Sequence, residues 1–189
     1  MNYCSHCGST VSLQIPEGDN LPRHVCAACG AIHYLNPKLV VGCIVEAGET
    51  ILLCRRSIAP RAGYWTLPAG FMENGESTAD AARRETSEEA CAQIDLRQPY
   101  AMISVPHINQ VHLFYRAGLV DGHFAAGWET LEAKLFAEAD VPWPEIAFLS
   151  VTRCLQAYFA DRKRGYFRFH EEEIRRPLGH STLAARAPE

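Results

Sequence analysis

The chain has 189 residues, of which 48% are hydrophobic and 21% are charged, and its formal net charge is −4 at pH 7. This length suits one medium globular domain with a small appendage, and the acidity argues against sequence-independent nucleic-acid binding, which needs a basic face. No apolar run reaches the ~18 residues of a membrane span and no basic leader precedes an apolar stretch, so we expect a cytoplasmic protein.

Two pairs of closely spaced cysteines lie near the N-terminus. Cys4 and Cys7 form one CxxC pair, Cys26 and Cys29 form the other, and a glycine follows each pair. This pattern is typical of a zinc ribbon, in which four thiolates complete a tetrahedron and the site is structural. The alternative is two disulfides in a secreted domain. The missing leader and four further cysteines without evident partners favour a reducing compartment and zinc.

The cysteine spacing predicts a domain boundary. Residues 1–35 are predicted to form a small β zinc ribbon held together by Zn²⁺, because so short a segment buries little apolar core. Residues 36–170 are predicted to form the main domain. Residues 171–189 are predicted to be a C-terminal tail, rich in Ala, Arg and Pro from Arg175 onwards.

The main domain shows short apolar runs bounded by turn signals, which predict strands over residues 39–46, 51–56, 65–69, 92–105 and 110–120. The first two should form a hairpin. One helix is predicted from Ser77, its N-cap with Asp80 as capping partner, to about Ala90, and a second over residues 150–164. Strands around a central helix, with another helix near the end, predict an α+β sandwich.

Three acidic residues lie on the first predicted helix. Glu85, Glu88 and Glu89 are three and four residues apart, so they share one helix face. Like charges at this spacing destabilise a helix by roughly 0.2–0.5 kcal/mol per pair. Such a cluster costs stability unless a cation binds it, and hard divalent ions prefer carboxylate oxygens. The alternative is a solvated acidic face with Arg83 and Arg84 as ion-pair partners.

The stretch from 70 to 92 resembles the Nudix box, which reads glycine, five residues, glutamate, seven residues and REUxEExGU, where U is bulky and apolar. Six residues stand at their positions in this pattern: Gly70, Glu76, Arg84, Glu85, Glu88 and Glu89. Cys91 replaces the last glycine, and Thr86 and Ala92 replace bulky apolar residues. These departures concern helix packing and the helix end rather than the chemistry.

The resemblance implies an α/β/α sandwich with a mixed sheet, and a metal-dependent hydrolase that cuts a diphosphate bond. It implies that Glu85, Glu88 and Glu89 hold Mg²⁺ or Mn²⁺ together with the backbone carbonyl of Ala69. It also implies a general base, for which Glu89 and the loop residue Glu132 are the candidates here. Glu129 is an alternative to Glu132 for this role. Two other roles also stay open: Arg55 or Arg56 could pair with a phosphate, and His107 or His112 could contact a ligand.

Two branches of the family place a zinc ribbon before the Nudix domain. The NADH pyrophosphatase branch carries an SQPWPFP-like motif shortly after the box, and residues 96–100 (LRQPY) do not match it. Residues 15–18, 36–42 and 65–70 resemble the branch of the plant plastid FAD and ADP-ribose pyrophosphatase more closely. We therefore predict release of AMP from FAD or ADP-ribose.

Three alternatives remain beside this prediction: NADH or NAD pyrophosphatase activity, removal of an NAD cap from RNA, and a non-catalytic zinc-ribbon binding protein. The predicted partner is a small dinucleotide, with no membrane contact and with nucleic acid disfavoured by the net charge. A homodimer is expected from the resemblance.

Overall fold

The computed structural model describes residues 1–175. The chain divides into two compact units, Met1–Pro37 and Lys38–Glu189. Most of the predicted tail, residues 176–189, lies outside the described residues. No helix within residues 1–175 is long and apolar enough to cross a membrane.

The first unit is a three-stranded antiparallel sheet in the order β1 (Val11–Gln14), β2 (Arg23–Cys26) and β3 (Ile32–His33). Each CxxC turn ends on a glycine at positive φ, 74° at Gly8 and 73° at Gly30. The amide of each glycine donates to the carbonyl of the first cysteine of its pair at 2.9 Å. The glycines thus close two equivalent turns, and the predicted β zinc ribbon is confirmed.

The second unit is built on a mixed eight-stranded sheet. Its strands are β4 (Lys38–Ala47), β5 (Thr50–Arg56), β6 (Trp65–Thr66), β7 (Ala69–Phe71), β8 (Ile94–Val105), β9 (Gln110–Leu119), β10 (Thr130–Ala137) and β11 (His170–Glu173). The main path runs β10-β5-β4-β9-β8-β11, with β6 paired to β5 and β7 paired to β4. The β4–β9 and β8–β11 pairs are parallel and the others antiparallel.

One helix covers each face of this sheet. Helix α1 (Thr78–Ala90) packs with alternate β4 residues such as Val41 and Cys43, while α2 (Leu149–Arg164) packs on the face that bears Ile44. The alternation follows from the period of two in a strand, with both faces of the sheet buried. The predicted α+β sandwich with a mixed sheet is confirmed.

The strands β4 and β5 pair only next to their turn, at Glu46–Ile51 and Ala47–Thr50. Beyond these pairs the two strands separate, and β6 and β7 fill the opening. The single strand predicted over 65–69 is therefore two strands, divided at Pro68, which has no amide for a ladder.

Helix α1 has the ends that its sequence predicts. The Ser77 hydroxyl accepts a hydrogen bond from the Asp80 amide at 3.2 Å. At the other end Cys91 adopts the left-handed conformation, with φ 46°, and its amide donates to the Ser87 carbonyl at 3.0 Å. Thr86 is fully buried, and its hydroxyl donates to the Ala82 carbonyl at 2.8 Å. Two of the three departures from the box pattern, Thr86 and Cys91, are thus accommodated locally.

Strand β11 falls where the sequence predicts the beginning of a tail. A buried carboxylate secures the return of the chain to the sheet, because Asp161 accepts hydrogen bonds from Tyr100 Oη at 3.1 Å and from the Arg168 amide at 3.2 Å. Its Oδ2 also lies 2.7 Å from Nε2 of His170. The sequence HEEE has no apolar alternation, so periodicity does not reveal this strand.

Candidate active site

A cleft of about 510 Å³ opens where β4 and β5 separate. Its lining includes three acidic side chains from α1: Glu85, Glu88 and Glu89. It also includes apolar side chains: Val40, Ile58, Ile108, Phe114, Phe148 and Val151. The three acidic residues predicted from the sequence therefore face one cavity together with Ala69, the predicted carbonyl ligand.

The glycine that begins the box allows α1 to approach β7. A Cβ at Gly70 would overlap the carboxylate of Glu85. Glu85 is 8% exposed, and burial raises the pKa of its carboxyl group, opposed by hydrogen bonding to Arg84. Any side chain at position 70 would displace the Glu85 carboxylate, so the glycine is required for this packing.

Glu89 is the most deeply buried carboxylate of the cleft, with 7% exposure. Its Oε2 accepts a hydrogen bond from the Ala69 amide at 3.0 Å. Burial raises its pKa to about 7, and the nearby charge of Glu85 adds to the effect. A pKa of about 7 lies in the range in which a general acid or base is effective.

Arg84 holds the acidic cluster and the preceding loop together. Its guanidinium donates to both carboxylate oxygens of Glu76 at 3.0 and 2.8 Å, which lowers the pKa of Glu76 to about 2. It also donates to Glu85 Oε1 at 2.7 Å and to Glu88 Oε2 at 3.1 Å. This fork geometry suits arginine rather than lysine.

The three glutamates share the cleft without forming one tight set of oxygens. Among residues 1–175, three or more possible metal ligands come within 4.8 Å of one another only at the four cysteines. Glu85 and Glu88 bond to Arg84, and Glu89 bonds to the Ala69 amide. A hard divalent ion fits this donor set, because its charge would offset the burial that raises the pKa of Glu85 and Glu89.

Of the two candidate loop glutamates, the structure brings only Glu129 to the cleft. Glu129 lines the cavity, and its charge contributes to the raised pKa of Glu85 and Glu89. Glu132 is exposed and belongs to β10, opposite Arg55 of β5, rather than to a turn. The ladder shifts register between residues 130 and 132, and this irregularity is not legible in the sequence.

The loop that carries Glu129 is fixed to the end of α1. The Ala125 amide donates to the Ala90 carbonyl at 2.8 Å, and the Gly127 amide donates to the Glu89 carbonyl at 3.0 Å. These bonds satisfy carbonyls at a helix C-terminus that have no partner within the helix. Sequence reasoning missed this contact, although glycine at 127 is the one local sign of a close approach.

One of the two candidate arginines reaches the cleft. Arg56 lines it, and the guanidinium carbon lies 5.1 Å from the centre of the Phe148 ring. Its Nε donates to the Pro60 carbonyl at 2.9 Å. Arg55 instead donates to the Gly63 carbonyl at 2.9 Å. Arg56 therefore lies at the cleft, whereas Arg55 is not among its lining residues.

A neutral polar group lies among the apolar side chains of the cleft. His112 lines it, with Nδ1 2.8 Å from Ser150 Oγ and Nε2 2.9 Å from Gln110 Oε1. Burial lowers the pKa of His112. His107, the other histidine candidate, is not among the lining residues. Gln110 and Ser150 were missed from sequence, because tertiary packing alone brings α2 beside β9.

The four predicted zinc ligands come together in the first unit. The Sγ atoms of Cys4, Cys7, Cys26 and Cys29 all lie within 4.8 Å of one another. The separations of 3.6 Å between Cys4 and Cys29 and 3.5 Å between Cys7 and Cys26 exceed a disulfide bond. Tetrahedral ligation with bonds of about 2.3 Å places sulfurs at about 3.8 Å, so the residues fit Zn²⁺.

Family models match most of the chain. Residues 2–35 match the zinc-ribbon model described as Nudix N-terminal, and residues 36–154 match the NUDIX domain model. A NUDIX hydrolase structure from Nitrosomonas europaea is 50% identical, with a TM-score of 0.89 over 92% of this chain and 99% of that chain. An ADP-ribose pyrophosphatase structure from Streptococcus suis, 21% identical with a TM-score of 0.58 over 74% of this chain and 100% of that chain, shares the fold.

The curated relatives differ in name. The NAD-capped RNA hydrolase NudC of Chromobacterium violaceum is 30% identical over 69% of this chain and 51% of its own length. The NudC of Stutzerimonas stutzeri is 29% identical over 86% of this chain and 57% of its own length. An ADP-ribose pyrophosphatase of Methanocaldococcus jannaschii is 30% identical over 58% of this chain and 67% of its own length.

The chain thus spans about half the length of these NudC relatives. The relatives do not single out the plant plastid branch. Their names favour the alternative that the sequence analysis gave beside it, which is hydrolysis of NAD or of an NAD cap on RNA. One family accounts for the geometry of the box, for the cysteine ribbon and for both family matches. The chain belongs to the Nudix family and is a Nudix hydrolase with an N-terminal zinc ribbon.

Proposed function

We propose that this hydrolase uses a divalent metal to cleave the diphosphate bond of a nucleoside diphosphate derivative and release a nucleoside monophosphate. The observation that carries the proposal is the cleft in which Glu85, Glu88 and Glu89 lie with Arg56 and apolar side chains. The names of the relatives favour NAD(H) or ADP-ribose over FAD as the substrate. FAD stays in the test set because the sequence predicts it.

The residues that would hold Mg²⁺ or Mn²⁺ are Glu85, Glu88 and Glu89, with the Ala69 carbonyl as a further ligand. A bound ion would neutralise diphosphate charge and lower the pKa of an attacking water. Arg84 keeps two of the carboxylates oriented. Because Arg84 now bonds both Glu85 and Glu88, ion binding requires those carboxylates to share or exchange this partner.

The hydrolysis itself needs a base and a charge partner for phosphate. A water oxygen attacks one phosphorus, the bridging P–O bond breaks, and the two products are monophosphates. We assign the general-base role to Glu129 or Glu89, both of which line the cleft, and place Glu132 outside the reaction. Arg56 pairs with a phosphate oxygen of the substrate, a role that its position above Phe148 supports.

Zinc has a structural role in this proposal. Cys4, Cys7, Cys26 and Cys29 would bind one Zn²⁺, which supplies folding free energy to a unit with little apolar core. Metal analysis of purified protein should give one zinc per chain. Cys26→Ser should lose it, whereas Cys91→Ser, an exposed cysteine outside the cluster, should retain it.

A substrate screen tests the proposed reaction. Release of AMP from ADP-ribose, NADH, NAD and FAD should require Mg²⁺ or Mn²⁺ and be greatest with one of the first three. Product analysis should show the partner monophosphate in equal amount. The same screen without added Mg²⁺ or Mn²⁺ is the control. Failure to hydrolyse any nucleoside diphosphate derivative under these conditions would remove the proposal.

A second candidate is removal of an NAD cap from RNA, which the NudC names favour. The test compares an NAD-capped transcript with free NAD as substrates, and a 5′-triphosphate transcript of the same sequence is the control. Greater kcat/KM on capped RNA than on NAD would support it. The predicted homodimer is a separate proposal, and light scattering of the purified protein measures it directly.

A further inference from the structure

A chain of three side chains connects α2 to the cleft. Gln110 lines the cleft, and its Oε1 lies 2.9 Å from Nε2 of His112. On the other side of the ring, Nδ1 lies 2.8 Å from Oγ of Ser150, in the first turn of α2. Ser150 is 3% exposed and His112 is 8% exposed. Solvent therefore has little access to the inner two members of the chain.

The chemistry of these groups fixes the direction of both hydrogen bonds. Burial keeps His112 neutral, so one ring nitrogen donates and the other accepts. Gln110 Oε1 can only accept, so Nε2 of His112 carries the proton, and Nδ1 accepts from the Ser150 hydroxyl. The amide of Gln110 is thereby held in one rotation. Its nitrogen is left as a donor for a ligand, and Oε1 has a second lone pair.

The cleft that Gln110 lines also has apolar walls, which suit a flat heterocycle. Its apolar lining side chains include Val40, Ile108, Phe148 and Val151. Val40 of β4 pairs with His112 on one side and with Phe71 of β7 on the other. Two strand spacings, about 10 Å, therefore separate His112 from the strand that bears Gly70. One extended substrate can reach both the amide and the carboxylates.

We propose that Gln110, held in one orientation by His112 and Ser150, reads the base of the substrate as adenine. This inference rests on the proposed function, because it assumes a nucleotide in the cleft. The amide nitrogen donates to N7 of the purine while Oε1 accepts from the exocyclic amine, which is the pairing glutamine uses for adenine in DNA. Guanine has a carbonyl oxygen in place of that amine, so two acceptors would face each other.

Base-exchanged substrates test the proposal directly. Wild-type protein should have kcat/KM about 5- to 100-fold higher for ADP-ribose than for GDP-ribose. Gln110→Glu retains an acceptor for His112 but has no amide protons, and the uncharged Gln110→Leu controls for the added charge. Both variants should lose most of the adenine preference through a higher KM for ADP-ribose, with kcat little changed.

Two further variants separate positioning from packing. Ser150→Ala removes the hydrogen-bond partner of His112 Nδ1 without altering the cleft lining, and it should reduce the adenine preference. Gln98→Glu makes the same chemical change as Gln110→Glu at an exposed position of β8 and should leave the preference unaltered. Unchanged preference in both Gln110 variants would overturn the proposal. So would a loss confined to NADH, which would assign Gln110 to nicotinamide.

Binding without turnover separates this inference from the proposed function. Calorimetry with AMP and GMP should show tighter AMP binding that Gln110→Glu abolishes, and this result would support base reading even in a protein that cleaves no diphosphate. Hydrolysis of ADP-ribose and GDP-ribose at equal kcat/KM would overturn base reading and leave the proposed function intact.

Discussion

The amide of Gly127 donates a hydrogen bond to the Glu89 carbonyl at 3.0 Å, so the loop before β10 is tied to the last turn of the helix that bears the acidic cluster. A Cβ at position 127 would overlap the Glu88 carbonyl. The loop can therefore approach the helix this closely only with glycine at this position. Glu129, two residues further on, reaches the cleft because of that approach.

Gly127→Ala should lower kcat by at least about tenfold, because it pushes the loop and Glu129 away from the substrate, and a misplacement of about 1 Å can cost 10²-fold. Steady-state kinetics and thermal melting together measure the effect. Gly48→Ala is the matched control, since Gly48 has φ 58° and open space in the β4–β5 turn. It should lower Tm but not kcat. Full kcat in Gly127→Ala would contradict the positioning role.

Glu129 and Glu132 form a matched pair for the base assignment. Glu129→Gln should lower kcat by about 10²–10⁴-fold if Glu129 is the base, because general-base catalysis contributes that much. Glu132→Gln should have nearly wild-type kcat, since this side chain is exposed on β10. Single-turnover rates of AMP release measure both. The reverse order of effects would return the role to Glu132, and two mild effects would leave Glu89 as the base.

The stability of the protein without Mg²⁺ or Mn²⁺ should depend on Glu89. Burial raises the pKa of Glu89 from 4.5 to about 7, so the folded state holds the proton more tightly than the unfolded state. This contribution is complete below pH 4.5 and is lost as the pH rises to about 7. The difference in free energy of unfolding between wild type and Glu89→Gln should therefore fall by on the order of 3 kcal/mol across that window.

Added Mn²⁺ should reverse this loss. The proposed ligand role of Glu89 requires the ionised carboxylate, which predominates at pH 8, so Mn²⁺ should raise the Tm of wild-type protein more than that of Glu89→Gln. At pH 5.5 the carboxyl group of Glu89 is protonated and the added ion should do little. An equal Tm increase at both pH values would show that Mn²⁺ binds elsewhere.

Cys91→Gly should stabilise the protein by about 1 kcal/mol, because Cys91 is held at φ 46°, a conformation that costs an L-residue roughly 1–2 kcal/mol. Urea unfolding measures the difference. Cys91→Ala has the same backbone cost without the thiol, so it should show no such gain. Equal stability of Cys91→Gly and Cys91→Ala would contradict the strain at this helix end.

The local patterns of the chain were predictable because neighbouring residues determine them. The CxxC pairs with their glycines, the Ser77 cap and the acidic spacing on α1 are all read within a few residues. Strand β11 was not predictable, since its residues are polar and a buried Asp161 secures the chain beside them. The exact ends of the segment from 65 to 71 depended on Pro68 and on the separation of β4 from β5.

The site was predictable only in part for the same reason. Glu85, Glu88 and Glu89 share a helix face, so their spacing revealed them. The choice between Glu129 and Glu132 depended on a register shift in β10. Ser150 lies 38 positions from His112 and 40 positions from Gln110 in the chain, so no local pattern marks the link between them.

The most direct measurement is the rate of AMP release from ADP-ribose as a function of Mg²⁺ concentration for wild type and Glu85→Gln. Glu85 packs on Gly70 at the centre of the acidic cluster, and Gln is nearly isosteric. The account predicts saturable Mg²⁺ dependence in wild type and a rate at least about 10²-fold lower in a folded Glu85→Gln protein. Equal rates in the two proteins, or a wild-type rate independent of Mg²⁺, would contradict it.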